Sequence, residues 1–266
     1  MTKEQVRLIV FAGQGGDIEK AQALAAHLKV DMTQIKSETD GFDLVLMLDS
    51  EGIALVSDGM VLRQDFKRML PRLRQSRLQG EMLVRAAKIK GADYPLTVID
   101  ATAGLGEDAF LLAAAGFSVR LYEYNPVIAA LLRDGLEHAA SVPELEDIVR
   151  RMVLIEADSV VELPKLTVAP DVILLDPMFQ ERKKSGLIKK KFQLIHQLEY
   201  PCGDEVSLVQ AAMALRPRKV VIKRTRKAPY LADVKPNYSL EGKVIRYDCL
   251  VFSQNTEKDN YEKGER

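Results

Sequence analysis

The glycine-rich segment from Leu96 to Asp108, which reads LTVIDATAGLGED, narrows the choice of fold most sharply. β-favouring apolar residues end at the acid Asp100, and a turn containing Gly104 and Gly106 leads into an apolar helix near Ala109. Glycine at these positions lets the backbone pass close to a ligand, and the N-terminus of the helix directs its free N–H groups to the same place. The sequence therefore predicts a strand, a ligand-binding turn and a helix, the opening unit of an α/β fold.

The charge of this segment distinguishes between two kinds of ligand. The run Gly104–Ala109 matches the G-x-G-x-x-A fingerprint of dinucleotide-binding enzymes, so an NAD-dependent oxidoreductase is one hypothesis. A pyrophosphate would, however, be repelled by Glu107 and Asp108 in the first helical turn and by Asp100 before the turn. Three carboxylates suit a ligand with an amino group and a sulfonium, as in S-adenosylmethionine (SAM). Glu123 ends the next predicted strand, nineteen residues after the first glycine, where a carboxylate can accept hydrogen bonds from ribose hydroxyls.

Acidic residues follow four successive strands of the predicted sheet. Strands and helices alternate after the glycine-rich turn as in a parallel sheet, with an antiparallel pair expected from Asn237 to Phe252 at its edge. Because the carboxyl ends of parallel strands meet at one edge, we expect a single rim to carry the four acids, which are Asp100, Glu123, Asp158 and Asp176. Asp158 and Ser159 are candidates for holding an adenine amino group, although a loop Asp-Ser is also common as a turn or cap.

The N-terminal part predicts a small α+β unit. A strand, an alanine-rich helix and a hairpin are expected over Arg7–Phe11, Asp17–Lys29 and Asp43–Ser57. Helical patterns follow over Met60–Leu70 and Ser76–Lys90, with an interruption at Pro71. Two hypotheses for the function of this unit have equal support from the sequence, namely substrate docking and simple packing.

Length and composition indicate a globular protein with more than one structural unit. With 266 residues the chain is long enough to bury a full core. We expect the N-terminal unit with its connecting helix at residues 1–75, a catalytic domain at 76–253 and a disordered polar tail at 254–266. No stretch has the length of a membrane span, and the N-terminus lacks the apolar core of a signal peptide. The two cysteines, Cys202 and Cys249, make neither a disulfide framework nor a metal cluster, which favours a cytoplasmic location without a membrane partner.

The fourth predicted strand ends in Asp176-Pro177-Met178-Phe179, a variant of the [Asn/Asp]-Pro-Pro-[Tyr/Phe] loop of methyltransferases that act on planar amines. The nitrogen of such an amine is a poor nucleophile, because its lone pair is delocalised into the ring. Asp176 and the backbone carbonyl after Pro177 can accept hydrogen bonds from the amine and orient it, while Phe179 offers a stacking face. Asp176, Pro177 and Phe179 are therefore the candidate catalytic residues, and this chemistry requires no metal.

Basic residues are concentrated between Gln180 and Lys227. This segment contains 13 lysines and arginines against 4 acids, so it carries +9 in a chain whose formal net charge is zero. A single cluster of this kind is usually a solvated face, but three clusters flank the catalytic corner here and indicate a surface for a phosphate backbone. The candidate RNA-binding residues are Lys183, Lys184, Lys189, Lys190, Lys191, Lys223 and Arg224.

Together these motifs resemble the bacterial small-subunit ribosomal RNA guanine-N2 methyltransferase family, over roughly residues 76–252. The segments that carry the resemblance are Asp100–Gly106, Asp108–Phe110, Glu123 with Asn125-Pro126, Asp176–Phe179, Lys183–Ser185 and Val220–Arg224. The resemblance implies a class I methyltransferase, an α/β fold with a Rossmann-like, mostly parallel seven-stranded sheet. It also implies that SAM is the cofactor and that the product is N2-methylguanosine in 16S ribosomal RNA (rRNA).

The resemblance further implies which side chains line the cofactor site. In addition to Asp100, Gly104 and Gly106 from the turn, they are Glu107, Asp108, Glu123, Tyr124, Asp158, Ser159 and Asp176. Two positions depart from the family pattern, since Glu107 stands where arginine is common and Gln180 stands where a proline commonly follows the loop. The implied partner is 16S rRNA or the small ribosomal subunit. Two other hypotheses are the NAD-dependent oxidoreductase and a methyltransferase-like RNA-binding or assembly factor without turnover.

Overall fold

The computed structural model describes residues 6–92, 95–177 and 205–253, together with Leu194 and Leu198. Within these residues, twelve strands form two sheets, one of five strands and one of seven. The predictions for Phe179, for the lysines at 183–191 and for the tail at 254–266 lie outside the described residues. In the described parts of the chain, no helix is long and apolar enough to cross a membrane.

The smaller sheet is N-terminal. Helix α1 (Ile18–Leu28) connects its first two strands, and the strands are β1 (Leu8–Ala12), β2 (Met32–Thr33), β3 (Leu44–Asp49), β4 (Gly52–Ser57) and β5 (Met60–Leu62). Their order is β2-β1-β3-β4-β5, with β1 parallel to β2 and β3, and the last three strands antiparallel. The predicted hairpin is confirmed, because β3 and β4 pair across a turn at residues 49–52.

The larger sheet contains the remaining strands. They are β6 (Thr97–Asp100), β7 (Ser118–Glu123), β8 (Met152–Glu156), β9 (Val172–Leu175), β10 (Lys219–Thr225), β11 (Tyr238–Glu241) and β12 (Ile245–Val251). Their order is β11-β12-β10-β9-β6-β7-β8, and β12 is antiparallel to both of its neighbours. The predicted class I, Rossmann-like sheet with an antiparallel edge is confirmed. All four residues of β9 are buried, as expected for a parallel strand covered on both faces.

Helices cover both faces of this sheet. They are α2 (Leu70–Leu73), α3 (Gln75–Leu78), α4 (Met82–Ala87), α5 (Glu107–Ala114), α6 (Pro126–Ala140), α7 (Pro143–Val149), α8 (Ser159–Glu162) and α9 (Glu205–Ala214). The Asn125-Pro126 cap predicted for α6 is confirmed, because Asn125 Oδ1 accepts hydrogen bonds from the N–H groups of Val127 and Ile128. Helix α6 in turn supports the N-terminal sheet, since its Ile128 shares a core with Leu46 of β3.

The segment between the two sheets differs from its prediction. The helix expected over Met60–Leu70 is wrong at its start, because Met60–Leu62 pairs with β4 as an edge strand and a 3-10 turn follows at Phe66–Met69. Pro71 does not interrupt a helix but lies in the first turn of α2, where a missing N–H group has no cost. The helix expected over Ser76–Lys90 is divided into α3 and α4. Pairing with a neighbouring strand has overridden the local helical pattern here.

Candidate functional site

The strand order of the larger sheet reverses next to β6. The chain runs outward from β6 to β7 and β8 and then returns to place β9 on the other side of β6. Ligands in such sheets bind beyond the carboxyl ends of the strands at the point where the order reverses. Asp100 is the last residue of β6, and Asp176 directly follows β9. The topology therefore brings two of the predicted acids to the switch point.

Glu123, at the end of β7, holds the glycine-rich turn. Its Oε2 accepts a hydrogen bond from the Gly104 N–H at 2.8 Å, and its Oε1 accepts one from the Asn125 N–H at 2.8 Å. Gly104 and Gly106 have φ values of +53° and +74°, in the left-handed region that favours glycine. A Cβ added at Gly104 would meet no described atom within 4 Å, so there is open space beside this part of the turn.

Lys223, on β10, joins the acids of two different elements. Its Nζ donates hydrogen bonds to Asp108 Oδ2 at 2.6 Å and to Asp176 Oδ2 at 2.7 Å. Asp108 lies in the first turn of α5, so the lysine connects the cofactor turn to the predicted catalytic loop. The predicted acids at positions 108 and 176 are thus brought together around one cation.

Two hydroxyl side chains hold the loops of the site through hydrogen bonds to backbone groups. Thr102 Oγ1 accepts a hydrogen bond from the Asp176 N–H at 2.6 Å, and the Thr102 N–H donates to Asp100 Oδ1 at 3.1 Å. Ser159 is buried, and its Oγ donates to the Ala101 carbonyl at 2.7 Å. Thr102 was not predicted as a site residue, although its position between Asp100 and Gly104 is a signal that it lies in the site.

Burial changes the protonation of the site. It raises the pKa of Asp100 to about 8 and the pKa of Glu123 to about 7. It also raises the pKa of Asp176, against the lowering effect of Lys223. Burial lowers the pKa of Lys223, but the Asp108 and Asp176 carboxylates raise that pKa by more, so the ammonium stays charged. The site therefore binds protons that a cationic ligand would displace.

Other residues predicted for the cofactor site lie further along the same edge. Asp158 follows β8, the outermost strand on this side, where it is exposed and caps α8 by accepting a hydrogen bond from the Val160 N–H at 2.9 Å. Tyr124 directly follows β7 and is 48% exposed. Glu107 lies beside Asp108 in the first turn of α5.

The two predicted RNA-binding residues on β10 do not form a basic surface. Arg224 is only 3% exposed, and its Nε donates to the Pro229 carbonyl at 3.1 Å, so its expected contact with phosphates is not compatible with its burial. Lys223 is engaged by the two aspartates of the site. The side chains of adjacent residues in a strand point to opposite faces of the sheet. The side chains of Lys223 and Arg224 therefore lie on different faces. The Nζ of Lys219, earlier on the strand, is also buried and donates to the Ala86 and Lys88 carbonyls.

The donor set fits SAM better than a dinucleotide. Asp108 and Asp176 already hold an ammonium group, so the same carboxylates suit the cationic groups of SAM. Glu123 accepts hydrogen bonds from backbone N–H groups, but a carboxylate offers about four lone-pair positions and can also accept hydrogen bonds from ribose hydroxyls. A pyrophosphate at the same turn would lie against Asp100 and Asp108.

Comparisons with known proteins agree with this assignment. The family model for SAM-dependent methyltransferases, SAM_MT, matches residues 27–252. The ribosomal RNA small subunit methyltransferase J of Thioalkalivibrio sulfidiphilus is 41% identical over 241 residues, which cover 88% of this chain and 93% of that protein. The protein of the same name from Pseudomonas aeruginosa is 47% identical over 171 residues, which cover 64% of this chain and 65% of the relative.

A solved structure also matches. The SAM-dependent methyltransferase from Neisseria gonorrhoeae has a TM-score of 0.73 to this chain at 26% identity, and the match covers 94% of this chain and 98% of that one. The structural similarity therefore extends over the N-terminal sheet as well as the larger one.

Proposed function

This chain belongs to the family of SAM-dependent methyltransferases whose curated members include ribosomal RNA small subunit methyltransferase J, and we propose that it methylates the exocyclic N2 amine of a guanosine in 16S rRNA. Family membership disfavours both the NAD-dependent oxidoreductase and a factor without turnover. The proposed partner is 16S rRNA, free or within the small ribosomal subunit, and the proposed location is the cytoplasm.

The observation that carries the proposal is the contact between the amine-binding loop and the cofactor turn. Asp176 is anchored through its N–H to Thr102 and shares Lys223 with Asp108 of the cofactor helix. A carboxylate that accepts N–H groups is thus held next to the turn that receives SAM. Such an arrangement aligns a planar amine with a methyl donor, and alignment supplies a large part of the rate acceleration in group transfer.

The residues of the chain have separate tasks in this reaction. When bound, SAM supplies a methyl group on a cationic sulfonium, which leaves as a neutral thioether. Asp176 and the backbone carbonyl after Pro177 accept the N–H groups of the guanine amine and orient its nitrogen, and Phe179 stacks on the base. As the nitrogen is methylated, it releases one N–H proton to the solvent. A guanosine within a paired helix has to leave the helix to reach this corner.

The cofactor contacts are proposed in the same way. Glu123 accepts the ribose hydroxyls, Asp158 holds the adenine amine, and Asp100 and Asp108 provide the negative charge for the cationic groups. Gly104 leaves space beside the turn for the ligand, and Gly106 lets the turn pack against Leu132 of α6. The Ser159 hydroxyl holds the turn by donating to the Ala101 carbonyl. Tyr124 and Glu107 also line the cofactor site. The exposed position of Asp158 and the open space beside Gly104 support this arrangement.

The RNA phosphates are proposed to contact the lysines between 183 and 191. The candidate residues all lie within twelve positions after Phe179 in the sequence, which supports a phosphate contact close to the base. They are Lys183, Lys184, Lys189, Lys190 and Lys191. Two described residues of the same segment, Leu194 and Leu198, pack against the core beneath the N-terminal sheet. The packing of these two leucines supports the proposal that the segment contributes an RNA-binding surface close to the site.

The test is the Asp176→Ala variant. We expect methyl transfer to 16S rRNA to fall at least about 100-fold in kcat, because one preorganised acceptor of the amine is lost. Asp147→Ala is the matched control, since Asp147 is 77% exposed on α7 and pairs only at the surface with Arg150. Circular dichroism checks that both variants are folded. Unchanged turnover of a folded Asp176→Ala variant would reject the proposed role of this loop.

A further inference from the structure

Lys223 lies at the centre of the site, between the cofactor turn and the amine-binding loop. Its Nζ is within hydrogen-bond distance of Asp108 and Asp176, and only 24% of its side chain is exposed. We propose that Lys223 is a positioning residue, which keeps Asp176 ionised and fixes the direction of its carboxylate toward the guanine amine. This inference rests on the proposed function, since it assigns a purpose to Asp176 as the acceptor of that amine.

The pairing of the strands explains why a lysine reaches this place. Strand β10 runs parallel to β9 with Ile222 opposite Leu175, so the next residue on each strand, Lys223 and Asp176, are also neighbours. On the other side, Lys223 is opposite Tyr247 of β12. The register of β9, β10 and β12 therefore places Lys223 beside Asp176.

The surroundings explain why a cation is needed there. Asp176 is faced by charged or titratable groups from four elements, namely Lys223 from β10, Asp108 from α5, Asp100 from β6 and Tyr247 from β12. Arg72 of α2 interacts electrostatically with two of these groups, Asp108 and Tyr247. Without Lys223, the Asp176 carboxylate would be partly buried beside two other acids, and both effects favour its protonated form.

Protonation of Asp176 would impair the reaction directly. A protonated carboxyl group carries one O–H donor and has less capacity to accept, whereas the guanine amine only offers N–H donors to it. The burial of Asp176 raises its pKa, and Lys223 is the main influence that lowers it. Lys223 therefore acts through Asp176 and does not need to touch the substrate.

An RNA-phosphate contact is the competing role for Lys223. Its ammonium is already hydrogen-bonded to two carboxylates, whose negative charge repels a phosphate from the same position. An RNA contact predicts a change in KM and in the salt dependence of RNA binding, with the same pH profile as the wild type. A positioning role predicts instead that kcat and its pH dependence change, while KM and the salt dependence of RNA binding stay as in the wild type.

The experiment compares the pH profile of kcat for the wild type, Lys223→Met and Lys223→Arg at saturating SAM and 16S rRNA. In the acid limb of the profile, kcat falls as the pH decreases. For Lys223→Met we expect the midpoint of this limb to move to a higher pH by about one unit or more, as for a carboxylate that loses an adjacent cation. On the acid side of both limbs, a shift of one unit corresponds to a loss of about tenfold in kcat, and the loss should largely disappear at pH 9. Lys223→Arg keeps the charge and should retain the limb of the wild type. Lys165→Met, which removes a surface lysine paired with Glu162, is the matched control.

The possible results separate this inference from the proposed function. An acid limb that coincides with the wild type, or a loss that is equal at every pH, overturns the role of Lys223. If Lys223→Met does not fold, Lys223→Gln is judged by the same criterion, because it keeps a donor and removes the charge. A fully active Asp176→Ala variant would instead overturn the proposed function. If Asp176→Ala is inactive and the pH profile of kcat for Lys223→Met coincides with that of the wild type, only the inference about Lys223 is overturned.

Discussion

Asp100 is a carboxyl group that folding makes harder to ionise. It is 2% exposed at the end of β6, and burial raises its pKa to about 8 from an ordinary value of 3.8. The folded chain thus binds a proton at this residue more tightly than the unfolded chain does. By linkage, the contribution of Asp100 to the free energy of unfolding decreases as the pH rises from about 4 to about 8. Ionisation of Asp100 at neutral and alkaline pH therefore has a cost in the free energy of unfolding.

The Asp100→Asn variant tests this cost. Without SAM, we expect it to be more stable than the wild type at pH 8 by about 2 kcal/mol, and the difference should shrink toward pH 5. Its affinity for SAM should fall about tenfold or more, because a charged acceptor becomes neutral. Urea unfolding at the two pH values and calorimetric titration with SAM measure both effects. A difference in stability that is the same at pH 5 and pH 8 would contradict the explanation.

The glycine-rich turn is the element on which the site is built, and its two glycines have different reasons to be there. A Cβ at Gly106 would come within 2.6 Å of Leu132 Cδ1, a fully buried side chain of α6 with little room to move. At Gly104 the same atom would meet no described neighbour. Gly106 is thus required for packing against α6, while Gly104 is required mainly for its left-handed backbone and for the space that it leaves.

Alanine at these two positions should therefore have unequal effects. We expect Gly106→Ala to reduce the free energy of unfolding by about 2–4 kcal/mol, from backbone strain and overpacking together. Gly104→Ala should cost only about 1 kcal/mol, the strain of a left-handed residue. Chemical denaturation of the two variants side by side measures the difference. Equal losses would show that α6 adapts to the added methyl group and that the packing argument is wrong.

Local signals in the sequence predicted the elements well where a few neighbouring residues decide the structure. The Asn125 cap and the hairpin of β3 and β4 are examples, and the acids at the ends of β6 and β7 follow from the parallel order of the strands. The strand at Met60–Leu62 was missed because its pairing with β4 overrides a helical pattern. Lys223 was assigned to RNA because the face and register that bring it to Asp176 depend on contacts between distant strands.

At the scale of the whole molecule, the N-terminal sheet and the catalytic sheet are joined by buried polar contacts. Asp134 of α6 accepts a hydrogen bond from the Ile53 N–H at 2.9 Å and pairs with Lys20 of α1 at 3.2 Å. The Gln64 side chain donates to the Leu105 carbonyl in the cofactor turn. The N-terminal sheet is thus attached to the helix and the turn that shape the site. The division of the chain at residue 75 remains a prediction.

The same junction holds part of the segment that follows the catalytic loop. Leu194 shares a core with Val10 of β1 and Ile128 of α6, and the Leu198 carbonyl accepts a hydrogen bond from Asn125 Nδ2 at 2.9 Å. Packing and substrate docking are therefore compatible roles for the N-terminal sheet.

We propose that this chain uses SAM to methylate the N2 amine of a guanosine in 16S rRNA. The most direct test of this proposal is to incubate 16S rRNA and small subunits from cells lacking the protein with the purified enzyme and isotope-labelled SAM. Nuclease digestion and mass spectrometry then locate the labelled methyl group. We predict N2-methylguanosine at one position of the RNA. A methyl group on another atom or another base, or no transfer to either substrate, would contradict the account.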